Sequence, residues 1–418
     1  MRRLIAVLAV VAACLSHAEA APRKQPSAGP DTQSFDQIQR GRYLVLLGDC
    51  TPCHTAPDGK RFAGGRPLET PFGTVVAPNI TPDAATGIGA MTDEQFVDAL
   101  QRGIGHDGRH LYPAMPYPYY TRVTREDVLA IRAYLNSLEP VVNPVQANQL
   151  PFPFNIRAGM VAWNQLFFTP GEFKPTPDKS AVWNRGAYLV TGLGHCGACH
   201  TPKNALGGDE TSHSLQGAPL QDWVAPDLTG DARTGLQSWS ADDLVDYLRT
   251  GHNRTTAASG PMAEVVSAST SQMTDDDLTA IATYLKDQPA PTAKAVQAVK
   301  ADDPAMRAGG PLYGDNCAAC HAPRGEGVAH LFPALQGSAL AQAPDPTTVI
   351  RLILRGSRSV ATDRAPTAPA MPTFGWKLSD DQVAAVATFI RNSWGNAAPP
   401  VDARMVSKLR ASLAERAD

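Results

Sequence analysis

The sequence predicts an all-α fold of three tandem helical domains. Two observations predict it: a Cys-x-x-Cys-His motif occurs three times, and a similar series of helix signals surrounds each copy. The motifs begin at Cys50, Cys196 and Cys317, and together they contain every cysteine except Cys14. A chain of 418 residues has room for about two to four domains of ordinary size.

The motif predicts the chemistry of each domain. Two cysteines followed directly by histidine form the attachment pattern of c-type haem, in which both thiols bond to the porphyrin and the imidazole binds the iron. We therefore expect three covalent haem c groups. The attachment cysteines would be Cys50, Cys53, Cys196, Cys199, Cys317 and Cys320, and the iron ligands His54, His200 and His321. A zinc site or a redox dithiol is disfavoured because the motifs lie far apart and histidine follows every second cysteine.

Helix signals recur in the same order in each repeat. A first helix precedes the motif around Gly41 and Gly186, with a shorter echo at residues 310–313. Middle helices are predicted over 94–102, 241–250 and 346–355, ending at Gly103, Gly251 and Gly356. Closing helices are predicted over 126–138, 275–286 and 380–394, starting at Thr124, Thr274 and Ser379. Ser379 with Gln382 matches the capping box, and Thr124 with Asp127 and Thr274 with Asp277 match it as acidic variants.

These signals divide the chain into seven segments. The predicted segments are a signal peptide (1–20), domains at 35–142, 180–289 and 304–396, a connector at 143–179, a linker at 290–303 and a C-terminal tail at 397–418. The connector contains Trp163, Phe167, Phe168 and Phe173, so we expect it to pack across the domain surfaces. The linker is rich in alanine, proline and lysine, which predicts an exposed tether.

The N-terminus predicts export. Arg2 and Arg3 precede an apolar run over residues 4–15, and Ala18-Glu19-Ala20 offers a cleavage site for a signal peptidase. The run is too short to span a bilayer, which needs about 20 residues. We therefore expect a periplasmic protein, peripheral on the outer face of the inner membrane.

The overall charge excludes one class of partner. The formal net charge is −3, and Lys and Arg do not gather into a basic stripe. Nucleic acid is therefore not a predicted partner.

A methionine is predicted as the sixth iron ligand in each domain. Each domain has one methionine in a predicted loop flanked by proline or glycine, just before the closing helix: Met115, Met262 and Met371. A single methionine would more often fill a gap in the core, but three at matching positions favour ligation. Ligation by a second histidine stays open, with His106, His110, His252 and His330 as alternatives. His195 adjoins Cys196 and points away from its own iron, and His213 is expected in solvent.

Each proximal imidazole also needs a partner for its second ring nitrogen. Backbone carbonyls of Pro78, Pro226 and Pro333 are the candidates, since each lies in a loop downstream of its motif.

Several stretches resemble the triheme cytochrome c subunit of membrane-bound bacterial dehydrogenases that oxidise alcohol, gluconate, sorbitol or fructose. The resemblance covers nearly the whole mature chain and is most specific at 41–54, 79–82, 87–89, 111–118, 188–192 and 194–202. It implies class I-like cytochrome c domains, each wrapped around one haem. It also implies that electrons pass from a catalytic subunit containing flavin, pyrroloquinoline quinone (PQQ) or molybdenum to ubiquinone at the inner membrane surface.

Other functions and one structural question stay open at this point. The alternatives are a free periplasmic electron shuttle and a haem enzyme with one open iron position; no separate catalytic residues are predicted. In the tail, Met405, Val406, Leu409 and Leu413 form a weak apolar stripe beside Lys408, Arg410 and Arg416. This stripe predicts either a solvated helix or an amphipathic membrane contact.

Overall fold

The computed structural model describes residues 34–292 and 295–414. The predicted signal peptide with Cys14, and residues 415–418 with Arg416, lie outside the described residues. The described chain is mainly helical and repeats one arrangement three times, as predicted. Each repeat also contains a small antiparallel pair of strands, which the sequence analysis did not predict.

The first domain begins when Ser34 caps its first helix by accepting from the Gln37 amide. Its helices are α1 (Phe35–Leu47), α2 (Cys50–Cys53), α3 (Asp93–Arg102), α4 (Tyr117–Tyr120) and α5 (Arg125–Asn136). Its strands β1 (Pro67–Thr70) and β2 (Gly73–Val76) pair with Pro67 opposite Val76. The closing helix α5 starts one residue earlier and ends two residues earlier than predicted.

The second domain follows the connector, which itself contains an unpredicted helix, α6 (Gly159–Phe167). Its helices are α7 (Ala181–Tyr188), α8 (Gly197–His200), α9 (Ala241–Thr250), α10 (Pro261–Ala268) and α11 (Asp275–Lys286). A π-helical turn at Leu189–Leu193 follows α7, and strands β3 (Ala218–Leu220) and β4 (Trp223–Ala225) pair antiparallel. Gly186 and Cys196 are one position further apart in the sequence than Gly41 and Cys50. The π-helical turn accommodates this additional residue.

The third domain ends with a helix formed by the tail. Its helices are α12 (Pro304–Asn316), α13 (Ala318–His321), α14 (Ala339–Gln342), α15 (Thr347–Arg355), α16 (Asp380–Asn392) and α17 (Ala403–Ala414). Strands β5 (Ser357–Arg358) and β6 (Ala370–Met371) form its ladder. The predicted capping box at Ser379 and Gln382 is present, and α16 ends two residues before the predicted boundary.

A glycine on the first helix lets it cross the closing helix closely in every domain. A Cβ at Gly41 would lie 1.7 Å from the Ala130 carbonyl oxygen, and one at Gly186 would lie 1.9 Å from that of Ala280. In the third domain the crossing glycine is Gly309, where a Cβ would lie 2.3 Å from the Ala385 oxygen. When Gly309 is aligned with Gly41, Pro311 of the third domain occupies the position of Tyr43.

The first two domains bind each other through reciprocal contacts. The Tyr43 hydroxyl donates to Asp277 Oδ2 at 2.9 Å, and the Tyr188 hydroxyl donates to Asp127 Oδ2 at 2.6 Å. Each aspartate also binds an arginine of its own domain. Tyr43 and Tyr188 occupy equivalent positions, so the two domains are related like the halves of a twofold dimer. The acidic capping boxes were therefore only half right: Thr124 and Thr274 cap their helices, but Asp127 and Asp277 bind tyrosine and arginine.

Different contacts join the second and third domains. The Arg351 guanidinium lies 4.6 Å from the centre of the Trp223 ring, and the Val224 amide donates to Thr348 Oγ1 at 2.7 Å. The Ala334 amide donates to the Thr255 carbonyl at 2.9 Å. These contacts are a cation–π pair and hydrogen bonds from backbone amides, joined by an ion pair between Arg364 and Asp275 at 3.8 Å, in place of tyrosine–aspartate pairs.

The connector packs across the first two domains as predicted. The Phe168 ring lies 5.1 Å from that of Tyr117, and the Phe173 ring lies 5.7 Å from that of Tyr188. Trp163 donates its indole N–H to the Leu206 carbonyl at 2.9 Å. In the described part of the linker, no helix or strand forms and most residues are exposed.

The tail differs from both alternatives that the sequence left open. Val406, Leu409 and Leu413 are buried against the core of the third domain, while Met405 is 42% exposed. The apolar stripe is therefore neither in solvent nor available to a membrane. Across the described ranges 34–292 and 295–414, no helix is both long and apolar enough to cross a bilayer.

Candidate haem-attachment sites

Each Cys-x-x-Cys-His motif forms a single helical turn, in α2, α8 and α13 or at their boundaries. Residues three apart in such a turn lie on one face, so the two thiols of each motif point the same way. The six cysteines form no disulfide and are partly buried. Burial raises the pKa of Cys50 and of Cys196 to about 12, which is the opposite of a reactive redox dithiol.

The histidine of each motif is held by the proline carbonyl predicted for it. The Nδ1 atoms of His54, His200 and His321 lie 2.8, 2.7 and 2.8 Å from the carbonyl oxygens of Pro78, Pro226 and Pro333. A carbonyl only accepts, so Nδ1 carries the proton and Nε2 keeps its lone pair. This hydrogen bond selects the tautomer that can bind iron and sets the ring orientation.

Burial also keeps these imidazoles neutral. It lowers the pKa of His54, His200 and His321, and this effect outweighs the proline hydrogen bonds, which raise it. A neutral ring can donate its Nε2 lone pair to a metal, whereas a protonated ring cannot. All three histidines are thus in the form that haem iron requires.

Three glycines that the sequence analysis missed complete the histidine supports. The amides of Gly64, Gly217 and Gly327 donate to the carbonyl oxygens of His54, His200 and His321 at 2.8, 2.9 and 2.9 Å. All three have positive φ, and a Cβ at Gly64 would lie 2.4 Å from the carbonyl carbon of Pro78. Their distances from the histidine in sequence differ in every domain, so no fixed spacing identifies them.

The three candidate methionine ligands occupy different local structures. Met115 lies in a turn before α4, Met262 lies in the first turn of α10, and Met371 lies in strand β6. The expectation of a loop in every domain was therefore wrong for Met262 and Met371. All three side chains are half-buried. Met115 and Met262 pack against the core that the first two domains share, and Met371 packs against the core of the third. Their role as sixth ligands stays a prediction.

Two of the four competing histidines, His110 and His252, contact other groups. His110 Nδ1 lies 3.2 Å from the Asn164 side-chain nitrogen, and His252 Nε2 lies 3.2 Å from the Val360 carbonyl. The His195 ring packs at 5.5 Å against that of Tyr120, and its Nδ1 lies 3.0 Å from the Leu193 carbonyl. His213 is exposed, as expected.

The donor set fits haem c in each domain. Two thiols on one helical turn, an adjacent neutral imidazole with a free Nε2 and a half-buried thioether in the same domain are the groups that this cofactor needs. Among the described residues, no cluster of three or more His, Cys, Asp or Glu could hold a metal ion without it.

Comparison with known proteins agrees with this chemistry. The cytochrome c family model matches residues 38–139, 184–289 and 306–394. The chain is 42% identical to the gluconate 2-dehydrogenase cytochrome c subunit of Pantoea cypripedii, over 97% of this chain and 94% of that protein. It is 40% identical to the cytochrome c subunit of the quinone-dependent alcohol dehydrogenase of Gluconacetobacter polyoxogenes, over 91% and 85%. It is 37% identical to the fructose dehydrogenase cytochrome subunit of Gluconobacter japonicus, over 93% and 86%.

A cytochrome c domain thus occurs three times in succession, and the matched segments contain all three motifs together with the histidines that their proline carbonyls hold. The chain belongs to the cytochrome c family.

Proposed function

We propose that this protein is a triheme c-type cytochrome that transfers electrons as the subunit of a dehydrogenase complex. The observation that carries the proposal is the threefold repetition of a neutral imidazole held at Nδ1 beside two thiols. Haem c, when bound, supplies an iron that changes its charge by one electron. The polypeptide would attach each haem through the paired cysteines and would bind the iron through His54, His200 and His321, with Met115, Met262 and Met371 as the second protein ligands.

The catalytic partner is a substrate-oxidising dehydrogenase subunit with flavin, PQQ or molybdenum. Relatives that match nearly the whole chain are named as cytochrome c subunits of gluconate, alcohol and fructose dehydrogenases, which supports this assignment. The alcohol dehydrogenase relative is also named for a quinone. We infer that ubiquinone accepts the electrons and that the protein works on the periplasmic face of the inner membrane, to which its predicted signal peptide would export it.

Exposed apolar side chains on the connector favour a bound subunit over a free shuttle. Its exposed side chains are Phe152 (79%), Phe154 (41%), Ile156 (51%), Val161 (45%) and Leu166 (68%). Phe154 contacts Phe72 of the first domain at 5.0 Å between ring centres. A diffusing shuttle gains nothing from exposing these large apolar side chains, whereas a subunit can bury them against its partner.

Purification from native membranes under mild conditions, followed by mass spectrometry, tests the proposed function. We expect a dehydrogenase subunit with flavin, PQQ or molybdenum in fixed ratio to this protein, and three haems per chain by the pyridine haemochrome assay. A protein that arrives alone from the soluble fraction would leave the shuttle as the better interpretation. A large spectral shift with cyanide in one haem would instead favour an open iron position.

A further inference from the structure

The attachment motif of each of the first two domains is contacted by the other domain. The contacting segments are residues 115–120 and 262–268, each of which begins at a candidate methionine ligand; we call them methionine segments. The segment of the first domain reaches Gly197, which lies between Cys196 and Cys199. The segment of the second domain reaches an arginine that binds Pro52, which lies between Cys50 and Cys53.

An ion pair makes the contact at the first motif. Arg66 Nη1 donates to the Pro52 carbonyl at 2.8 Å and to Glu264 Oε1 at 2.5 Å, while Nη2 donates to Glu264 Oε2 at 3.1 Å. Arg66 belongs to the first domain and Glu264 to the second. The carboxylate therefore neutralises and orients a guanidinium that lies directly on the first attachment turn.

A tyrosine makes the corresponding contact at the second motif. The Lys203 ammonium donates to the Gly197 carbonyl at 3.2 Å and pairs with Asp209. Tyr119, from the first domain, donates its hydroxyl to Asp209, and a Cβ at Gly197 would lie 2.9 Å from its hydroxyl oxygen. As at the first motif, a cation, here Lys203, binds the attachment turn. The first domain supplies Tyr119, which positions the counter-charge Asp209.

We propose that the first two haem sites are electrostatically cross-tuned, with Glu264 of the second domain positioning Arg66 at the first haem and Tyr119 of the first domain positioning Asp209 and Lys203 at the second. Fixed charges and hydrogen bonds near a haem shift its reduction potential, because they stabilise one charge state of the iron over the other. Each of these domains thus sets part of the potential of its neighbour. The inference rests on haem attachment at both motifs, which the haem count establishes separately.

Redox titration of the purified triheme protein, followed by its visible spectrum and fitted with three one-electron couples, tests this inference. In Glu264→Gln, Arg66 keeps its charge without a counter-charge. The reduction equilibrium of one couple should therefore shift about threefold toward the reduced form, which raises its potential by roughly 30 mV at about 59 mV per tenfold change. Arg66→Gln should shift the same couple in the opposite direction. Tyr119→Phe should shift a different couple, since it acts at the second motif.

Glu94→Gln is the matched control. Glu94 binds Arg125 with the same geometry, 2.5 and 3.1 Å, but this pair joins α3 to the start of α5 within one domain. Glu264 is partly exposed, so its substitution should leave the fold and the haem count unchanged. Cross-tuning would be wrong if Glu264→Gln shifted no couple more than Glu94→Gln did. It would also be wrong if Glu264→Gln and Tyr119→Phe shifted the same couple, because both would then act on one haem.

Discussion

The first two domains and the third domain use the same internal scaffold but different surroundings. All three cross their first and closing helices at a glycine, Gly41, Gly186 or Gly309. Most buried apolar residues of the first two domains form one continuous cluster, whereas the third domain has a separate cluster that includes the tail helix α17. The first two domains therefore share one apolar core, and the third domain has its own, with a small cluster of Ala258, Val266 and Val360 between the second and third.

Three substitutions in the repeat account for this difference. Where the first domain has Arg40, Tyr43 and Asp127, the third has Ala308, Pro311 and Gln382 in the positions set by the glycine crossing. The third domain consequently lacks the groups that make the reciprocal tyrosine–aspartate contacts. The same helix crossing thus occurs in every repeat, whereas the pairing of two domains depends on a few polar residues beside that crossing.

The largest expected effect comes from filling the glycine crossing. Gly41→Val would place side-chain atoms against the Ala130 carbonyl, so we expect a loss of about 3 kcal/mol or more in the free energy of unfolding. Gly314→Ala is the control, since Gly314 lies in α12 with no atom near its Cβ position and should gain up to about 1 kcal/mol. Thermal unfolding measures both. Equal stability of the two variants would contradict the crossing as the shared scaffold.

Removing an apolar residue from the tail should destabilise only the third domain. Leu413 is 2% exposed, so Leu413→Ala should cost about 2–4 kcal/mol. Met405→Ala, on the exposed side of the same helix, should cost well below about 1 kcal/mol. Limited proteolysis with haem-peptide mapping would locate the weakened domain. If Leu413→Ala instead reduced binding to lipid vesicles without changing stability, the tail would be a membrane contact after all.

Breaking one tyrosine–aspartate contact should loosen the pairing of the first two domains. Tyr188→Phe removes a buried hydrogen bond to the Asp127 carboxylate and should cost about 1.5–3 kcal/mol. Tyr43→Phe should cost less, because that contact is nearer to solvent. Tyr313→Phe serves as the third-domain comparison, since its hydroxyl binds the Ala322 carbonyl within one domain. Hydrogen exchange at the interface of the first two domains should increase for Tyr188→Phe and not for Tyr313→Phe.

The smallest expected effect is a difference in acid sensitivity between the second and third domains. Arg254 lowers the pKa of Asp243, in the capping box of α9, to about 2. A carboxylate with a lowered pKa stabilises the fold above its unfolded pKa of about 3.9, and this contribution is lost as the pH falls toward 2. The corresponding helix α15 has Pro346 at its N-cap, and Pro346 makes no side-chain hydrogen bond to the helix. Acid titration should therefore weaken the second domain in this range, and Asp243→Asn should remove that slope.

Much of the site could be predicted from the sequence because its parts are local. Cys-x-x-Cys-His places both thiols and the imidazole within one helical turn, and a proline in the next loop supplies the carbonyl for Nδ1. Ser240 and Ser379 cap their helices through capping boxes, whose hydrogen bonds join residues only three positions apart. The supporting glycines Gly64, Gly217 and Gly327 escaped prediction because their role depends on the approach of a distant proline.

The sequence by itself determined the chemistry of this protein: the haem motifs, their number, the helices around them and the order of the domains. Only the tertiary structure decided how these parts contact one another. It directed Asp127 and Asp277 to tyrosines of the neighbouring domain, buried the stripe of the tail and placed Glu264 at the attachment turn of another domain. The reason is physical, since motifs and caps act over a few residues, whereas ion pairs and buried faces depend on groups that are distant in the chain.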